Sequence, residues 1–474
     1  MDENLNKAIQ QWIDDHAEEY IADVQALSRI PSVSRADLRK ENEPFGPDCR
    51  KALDWVLNRV KELSFEAEDH EGYCGSAYLG DKDNAIGAFG HVDVVPIAEG
   101  WIYPPYGATR EGDLLFGRGV SDDKGPALSA LYAARCIRDL GIPMKHGFHM
   151  FFGCSEETGM EDIQYFMKHA RIPVKSIVPD CGFPVCIAQK GSLNTEAIIP
   201  VGESLLSFEA GLAPNIVPTL AVAELRCDAD ALTACVAAQN LPEDYITVER
   251  IEGGARVSGH GLPAHGADPE KGRNAIKILT QALSHAEGIL DDTTVRAMKA
   301  VATLTSGCYG EACGLQGEDP ISGRTTTNFG LAKIRDGRLY VRMDARVSID
   351  VDIDEAEKAF AAAVEKLGFT YELDRKNQPF HLKDDDPAVQ ALTKAYREVT
   401  GRDDPNYAMG GGTYSRYLPS AISFGPGLRE EYVRPELPMG HGGAHQCDEY
   451  AHIPSLLKAM LVYVHALIAL DQAV

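Results

Sequence analysis

The stretch whose reading decides the fold is Gly90-His91-Val92-Asp93-Val94-Val95-Pro96. Residues 84–95 form a β-rich apolar run that ends in a polar turn carrying a histidine and an aspartate. The theme repeats downstream in Gly117-Arg118-Gly119-Val120-Ser121-Asp122-Asp123-Lys124-Gly125, in Ser155-Glu156-Glu157 and in Pro179-Asp180. It returns near the C-terminus in Ala444-His445-Gln446-Cys447-Asp448-Glu449. Each time a His or a carboxylate stands where an apolar strand runs into a Gly-rich or polar turn. Open α/β folds build their sites at such strand ends. Two imidazoles with several carboxylates form a donor set suited to two divalent ions, Zn2+ or Mn2+, with Co2+ also accommodated. The pattern points to metal-assisted hydrolysis.

Outward from that stretch, helices and strands alternate. Leu53, Val56, Leu57, Val60 and Leu63 follow a helical period. Residues 126–140 read as a helix opened by Pro126 and stopped at Gly141. Residues 149–153 and 176–178 read as short buried strands entering Glu156-Glu157 and Asp180. Such alternation implies a largely parallel sheet covered by helices. From about Ser192 the pattern becomes α+β, with strands expected over 216–225 and 339–348 and helices over 274–285 and 354–367. The first pattern resumes with a helix over 387–399, the run Gly410-Gly411-Gly412-Thr413 and a strand over 421–424. We therefore expect an α/β catalytic domain with a mostly parallel sheet, made of residues 1–191 and 383–474. An α+β lid domain, 192–382, is inserted between them.

With 474 residues the chain is longer than one hydrophobic core usually grows. A formal net charge of −25 argues against nucleic acid and against an anionic membrane surface. Eleven scattered cysteines do not form a disulfide framework, and the polar, acidic N-terminus lacks the features of a signal peptide. Residues 455–470 are strongly apolar, but Lys458 and His465 interrupt them, so a buried C-terminal helix is expected rather than a membrane span. These features suit a cytoplasmic protein.

Taken in order, the His-x-Asp, Gly-Arg-Gly-x-x-Asp-x-Lys-Gly and Glu-Glu blocks resemble the M20 metallopeptidase family, and most of all its PepV-like and Sapep-like dipeptidase branch. The resemblance implies that His91 and Asp180 bind one metal ion, Glu157 and His445 bind the other, and Asp122 bridges the two. It implies Glu156 as general base and Asp93 as the acceptor that orients His91. In the inserted domain it implies His265 and Asn215 as partners of the oxyanion. Arg346, with Gly411, Gly412 and Thr413, would hold the terminal carboxylate of a small peptide. The implied activity is hydrolysis of unblocked dipeptides by a monomer, since a long insert can do within one chain what shorter lids do by dimerising. The alternatives are an N-acyl amino acid or N-succinyl-diaminopimelate amidohydrolase on the same site, or a silent peptide-binding member.

Bland readings stand beside each motif. A lone His-x-Asp is more often a turn with a satisfied histidine, and a Glu-Glu pair is usually solvated. Asp123 reads as a helix N-cap. His441 competes with His445, and His260 with His265. Cys154 and Cys447 read as packing residues, and Asp384-Asp385-Asp386 as a solvated run. The joint occurrence of the blocks at ordered strand ends favours the metal site.

Overall fold

In the computed structural model, residues 3–428 and 435–474 are described. The chain divides into two compact units. The first comprises Met1–Ile187, Leu382–Tyr407 and Gly412–Val474, and the second Ala188–His381 with Ala408–Gly411. The short run Ala408–Gly411 thus groups with the inserted unit, whereas the sequence places it in the final catalytic segment.

The sheet of the first unit has four parallel central strands in the order Gly147–Gly153, Ala85–His91, Lys175–Val178 and Ala421–Phe424. Antiparallel strands Cys74–Leu79 and Glu66–His70 extend one side. The strands Ala85–His91 and Gly147–Gly153 are buried at every position, as expected of a sheet covered on both faces. Helices Glu3–Ser28, Pro47–Glu62, Lys124–Asp139 and Ile453–Ala473 contribute to one large apolar core.

The C-terminal helix is long and apolar enough to cross a membrane by length and composition. Leu456, Met460, Val464, Leu467 and Leu470 are buried within the core, where it meets Lys124–Asp139 and Pro387–Thr400. Burying each such side chain is worth about 1.5–3 kcal/mol.

Two local expectations need correcting. The helix begins at Lys124, so Pro126 lies in its first turn and does not open it. Proline is tolerated there because first-turn N–H groups lack intrahelical acceptors in any case. The side chain of Asp123 occupies the N-cap position but caps nothing. Its Oδ2 instead accepts the backbone N–H of His91 at 3.1 Å.

The second unit carries an eight-stranded antiparallel sheet. Its order is Ile246–Ile251, Gly254–His260, Leu220–Leu225, Leu205–Ala210, Thr326–Arg335, Arg338–Val347, Gly191–Pro200 and Thr370–Asn377. Helices Ala229–Ala237, Ala275–Leu283, Asp292–Leu304 and Ile353–Lys366 accompany it and share a separate core. The fold is therefore mixed α/β, a mostly parallel sheet plus a separate antiparallel one.

Candidate metal centre

The parallel strands deliver the site residues of the first unit. His91 is the last residue of its strand and is fully buried. Gly90 just before it allows close packing, since a Cβ there would meet Ala127 Cβ and Asp123 Oδ2 at 2.7 Å. Glu156 and Glu157 follow Gly147–Gly153 in a turn, and Asp180 follows Lys175–Val178. Asp122 sits in the turn ahead of the helix Lys124–Asp139, with a cis peptide bond to Asp123.

These side chains converge. The Nε2 of His91 lies 3.3 Å from Asp122 Oδ1, and the Nε2 of His445 lies 3.0 Å from Asp122 Oδ2. One carboxylate thus presents an oxygen to each imidazole. His445 Nε2 is also 3.1 Å from Glu157. Among the described residues two ligand-competent groups result: His91, Asp122 and Glu157, and His91, Glu156 and Asp180. Glu156, expected only as a base, has a carboxylate oxygen within ligand range of His91 and Asp180.

The electrostatics suit a cation. Burial, then the neighbouring carboxylates, push Glu156 and Asp180 well above the usual carboxylate range. Burial and Asp122 raise Glu157 against the pull of His445. Asp122 departs from the others: against burial, His445 and His91 hold it below its ordinary value. Against burial, the carboxylates of Asp122, Asp93 and Asp180 keep His91 well above its ordinary value. Likewise Asp122 and Glu157 push His445 up to about 11. Among the described residues the buried His91 Nε2 has no hydrogen-bond partner, and Asp122 Oδ1 lies 3.3 Å away. A buried, orphaned ring nitrogen among carboxylates that repel one another fits divalent cations.

Further contacts orient these side chains. The Nδ1 of His91 lies 3.0 Å from the carbonyl of Asp93 and 3.3 Å from its Oδ1. The Asp93 carboxylate also accepts the N–H groups of Glu156 and Glu157, each at 3.2 Å. Asp93 therefore ties the His91 turn to the Glu156-Glu157 turn, a duty beyond the imidazole contact expected of it. His441 is engaged with Asp448 at 2.5 Å, and Cys447 Sγ donates to the carbonyl of Glu99.

Sequence reasoning missed the buried pair Arg118–Glu449, 2.7 Å apart and 331 positions distant in the chain. It also missed Asp162, whose Oδ2 accepts the N–H groups of Cys154 and Ser155. The only signal was the position of Arg118 and Glu449 inside motifs already singled out.

In the second unit the loops of Asn215 and His265 are joined. Ile216 and His265 form an antiparallel bridge, and Gly266 N–H donates to the Asn215 carbonyl at 2.7 Å. Arg346 donates to Asp344 Oδ2 through Nε and Nη2, and to the Gly410 carbonyl through Nη1. Gly411 belongs to this unit, while Gly412 and Thr413 belong to the first. The Thr413 hydroxyl is buried, 2.7 Å from that of Ser423, and caps the short turn Tyr414–Arg416. His260, the rival of His265, lies 3.1 Å from the Thr247 hydroxyl.

A mostly parallel sheet with His91 at a strand end, and with His91 and His445 on either side of the Asp122 carboxylate, forms a candidate metal centre of the hydrolase type. Residues 88–469 match the model of peptidase family M20/M25/M40, and the chain belongs to that family. The Bacillus subtilis protein named "Putative dipeptidase YtjP" is 30% identical over 462 residues, which cover 95% of this chain and 96% of that protein. A Staphylococcus epidermidis protein of the same description is 28% identical over 475 residues, covering 96% and 98%. Among solved structures, the yeast (Saccharomyces cerevisiae) di-peptidase Dug1p has a similar fold, with a TM-score of 0.61 at 14% identity over 98% of each chain. Human carnosine dipeptidase 1 has one of 0.59 at 13% identity over 99% of each.

Proposed function

We propose that this chain is a metal-dependent dipeptidase acting on small peptides with a free amino terminus. The observation that carries the metal reading is the Asp122 carboxylate, with one oxygen toward His91 and the other toward His445. The dipeptide reading is supported by near full-length relatives named as dipeptidases. On this reading His91 and Asp180 hold one cation, Glu157 and His445 a second, and Asp122 is shared. Bound there, Zn2+, Mn2+ or Co2+ would supply Lewis-acid polarisation and a water of lowered pKa.

The chain's own residues do the rest. Glu156 takes a proton from the attacking water on its carboxylate and returns it to the leaving nitrogen. Asp93 and Asp162 fix the turn from which Glu156 projects. Roles for Asn215 and His265 at the oxyanion, and for Arg346, Gly411, Gly412 and Thr413 at the substrate carboxylate, belong to the same proposal. So do a monomeric state and a cytoplasmic location.

The test is hydrolysis by chelator-stripped protein with Mn2+, Zn2+ or Co2+ restored, comparing free with N-acetylated dipeptides. Turnover of the free ones alone is expected. Turnover of the acylated ones alone would make it an N-acyl amino acid or N-succinyl-diaminopimelate type of amidohydrolase. Inertness toward both would leave a peptide-binding protein. Glu156→Gln should lower kcat by about 100-fold or more while metal still binds, the scale of a lost general base.

A further inference from the structure

The Arg118–Glu449 pair does more than neutralise two buried charges. Glu449 is fully buried, and Arg118 is 1% exposed. Glu449 Oε2 accepts from Arg118 Nη1. Its Oε1 accepts three backbone donors: the N–H groups of Gly119 at 3.1 Å, Ser121 at 3.0 Å and Asp122 at 3.1 Å. The Glu449 carbonyl accepts a fourth, from Gly117 at 2.9 Å. The turn that presents Asp122 is thus wrapped around one carboxylate, four residues beyond His445. Both Asp122 contacts to imidazole depend on where that backbone lies.

We propose that Glu449 is a positioning residue for the shared carboxylate, holding the Asp122 turn at the spacing from His445 that lets an ion be taken up beside Glu157. This rests on the two-metal reading above. It assigns to Glu449 a duty separable from its charge: the amide contacts act on Asp122, whereas the ion pair with Arg118 only offsets burial.

Two substitutions separate these duties. Glu449→Asp keeps the charge opposite Arg118 but withdraws the carboxylate from the three amides. Glu449→Gln keeps an oxygen within reach of the amides and gives up the charge. Titration calorimetry of stripped protein with Mn2+ reads each ion without requiring turnover. Wild type should bind two ions per chain. Glu449→Asp should weaken at least one of them about 10–100-fold, the usual scale for losing a ligand's supporting contact. Glu449→Gln should stay within about threefold for both.

The reverse order, with Asp like wild type and Gln defective, would show that only the charge matters and would overturn the proposal. So would a Glu449→Asp protein that holds both ions normally. If Glu449→Asp does not fold, Glu449→Gln alone decides, since loss of an ion in it contradicts the amide-clamp role. A wild type that binds fewer than two ions would overturn the two-metal reading itself, a different result from either variant failing.

Discussion

The phenol of Tyr414 donates to Asp162 Oδ2 at 2.5 Å, and both groups are completely buried. The same carboxylate oxygen accepts the N–H groups of Cys154 at 2.7 Å and Ser155 at 2.8 Å, directly ahead of Glu156. Asp162 is pushed up to about 6, by burial first and Asp93 second, against these donors. Tyr414→Phe should therefore cost about 1–3 kcal/mol, the scale for removing a donor to a buried charged acceptor. Urea unfolding checks it. Gly153 lies beneath this network, and a Cβ there would land on the Tyr414 hydroxyl and the Asp162 carboxylate. Gly153→Ala should destabilise more than Tyr414→Phe. Combined, the two should cost less than their sum, because they share a contact.

The protonation of the metal-free site gives a pH prediction. His445 rises from its ordinary 6.5 to about 11, and His91, Glu156, Glu157 and Asp180 also rise. A group raised in the folded state adds stability that is complete below its unfolded pKa and lost as pH climbs through the folded one. The stripped protein should therefore lose stability from mildly acidic to alkaline pH. Metal binding must expel those protons, so it is favoured by the same rise in pH. The gain in unfolding midpoint on adding Mn2+ should be larger at pH 8 than at pH 6. An equal gain at both would mean that the ion enters without displacing protons from these groups.

His445 offers a sharper check on which side chains take part. His445→Ala removes an imidazole that touches both Asp122 and Glu157. Calorimetry should show one ion lost and one retained, with hydrolysis reduced by about 100-fold or more, as for a missing Lewis acid. Retention of both ions would move the second ligand elsewhere, and His441 would be the neighbour to examine next.

What the sequence made legible was set by local physics. The apolar run ending at His91 and the apolar spacing from Leu53 to Val60 each specify an element without help from distant residues. Asp386, in an acidic run that reads as solvated, turns out to cap the helix Pro387–Thr400 through the N–H groups of Ala388 and Val389. Three things were hidden because they depend on the assembled chain. Asp123 looks like a cap from its neighbours, yet the strand end at His91 claims its carboxylate. Ile216 and Val217 look like the start of a strand, yet the strand begins at Leu220, because they bridge to the His265 loop instead. Glu449 lies 327 positions from the Asp122 amide it accepts, and no local pattern encodes that meeting.

The loop of Asn215 is held by a side chain that no motif pointed to. Asn328, 1% exposed in the strand Thr326–Arg335, donates through Nδ2 to the carbonyls of Pro214 at 2.7 Å and Ile216 at 3.0 Å. These carbonyls belong to the residues on either side of Asn215, and the bridge from Ile216 carries the restraint on to His265. Asn328→Ala frees both carbonyls and lets Asn215 and His265 move together. If those two residues serve the oxyanion as proposed, a displacement of an ångström is enough to lower kcat by about 100-fold. Ion stoichiometry should stay at the wild-type value, because no candidate ligand lies in this unit. Asn328→Asp retains the shape and an acceptor but places oxygen against two carbonyl oxygens, so it should be no better than alanine. A kcat left unchanged in both variants would separate the Asn215 loop from the reaction, and a loss of bound ions in either would show that the damage had spread beyond it.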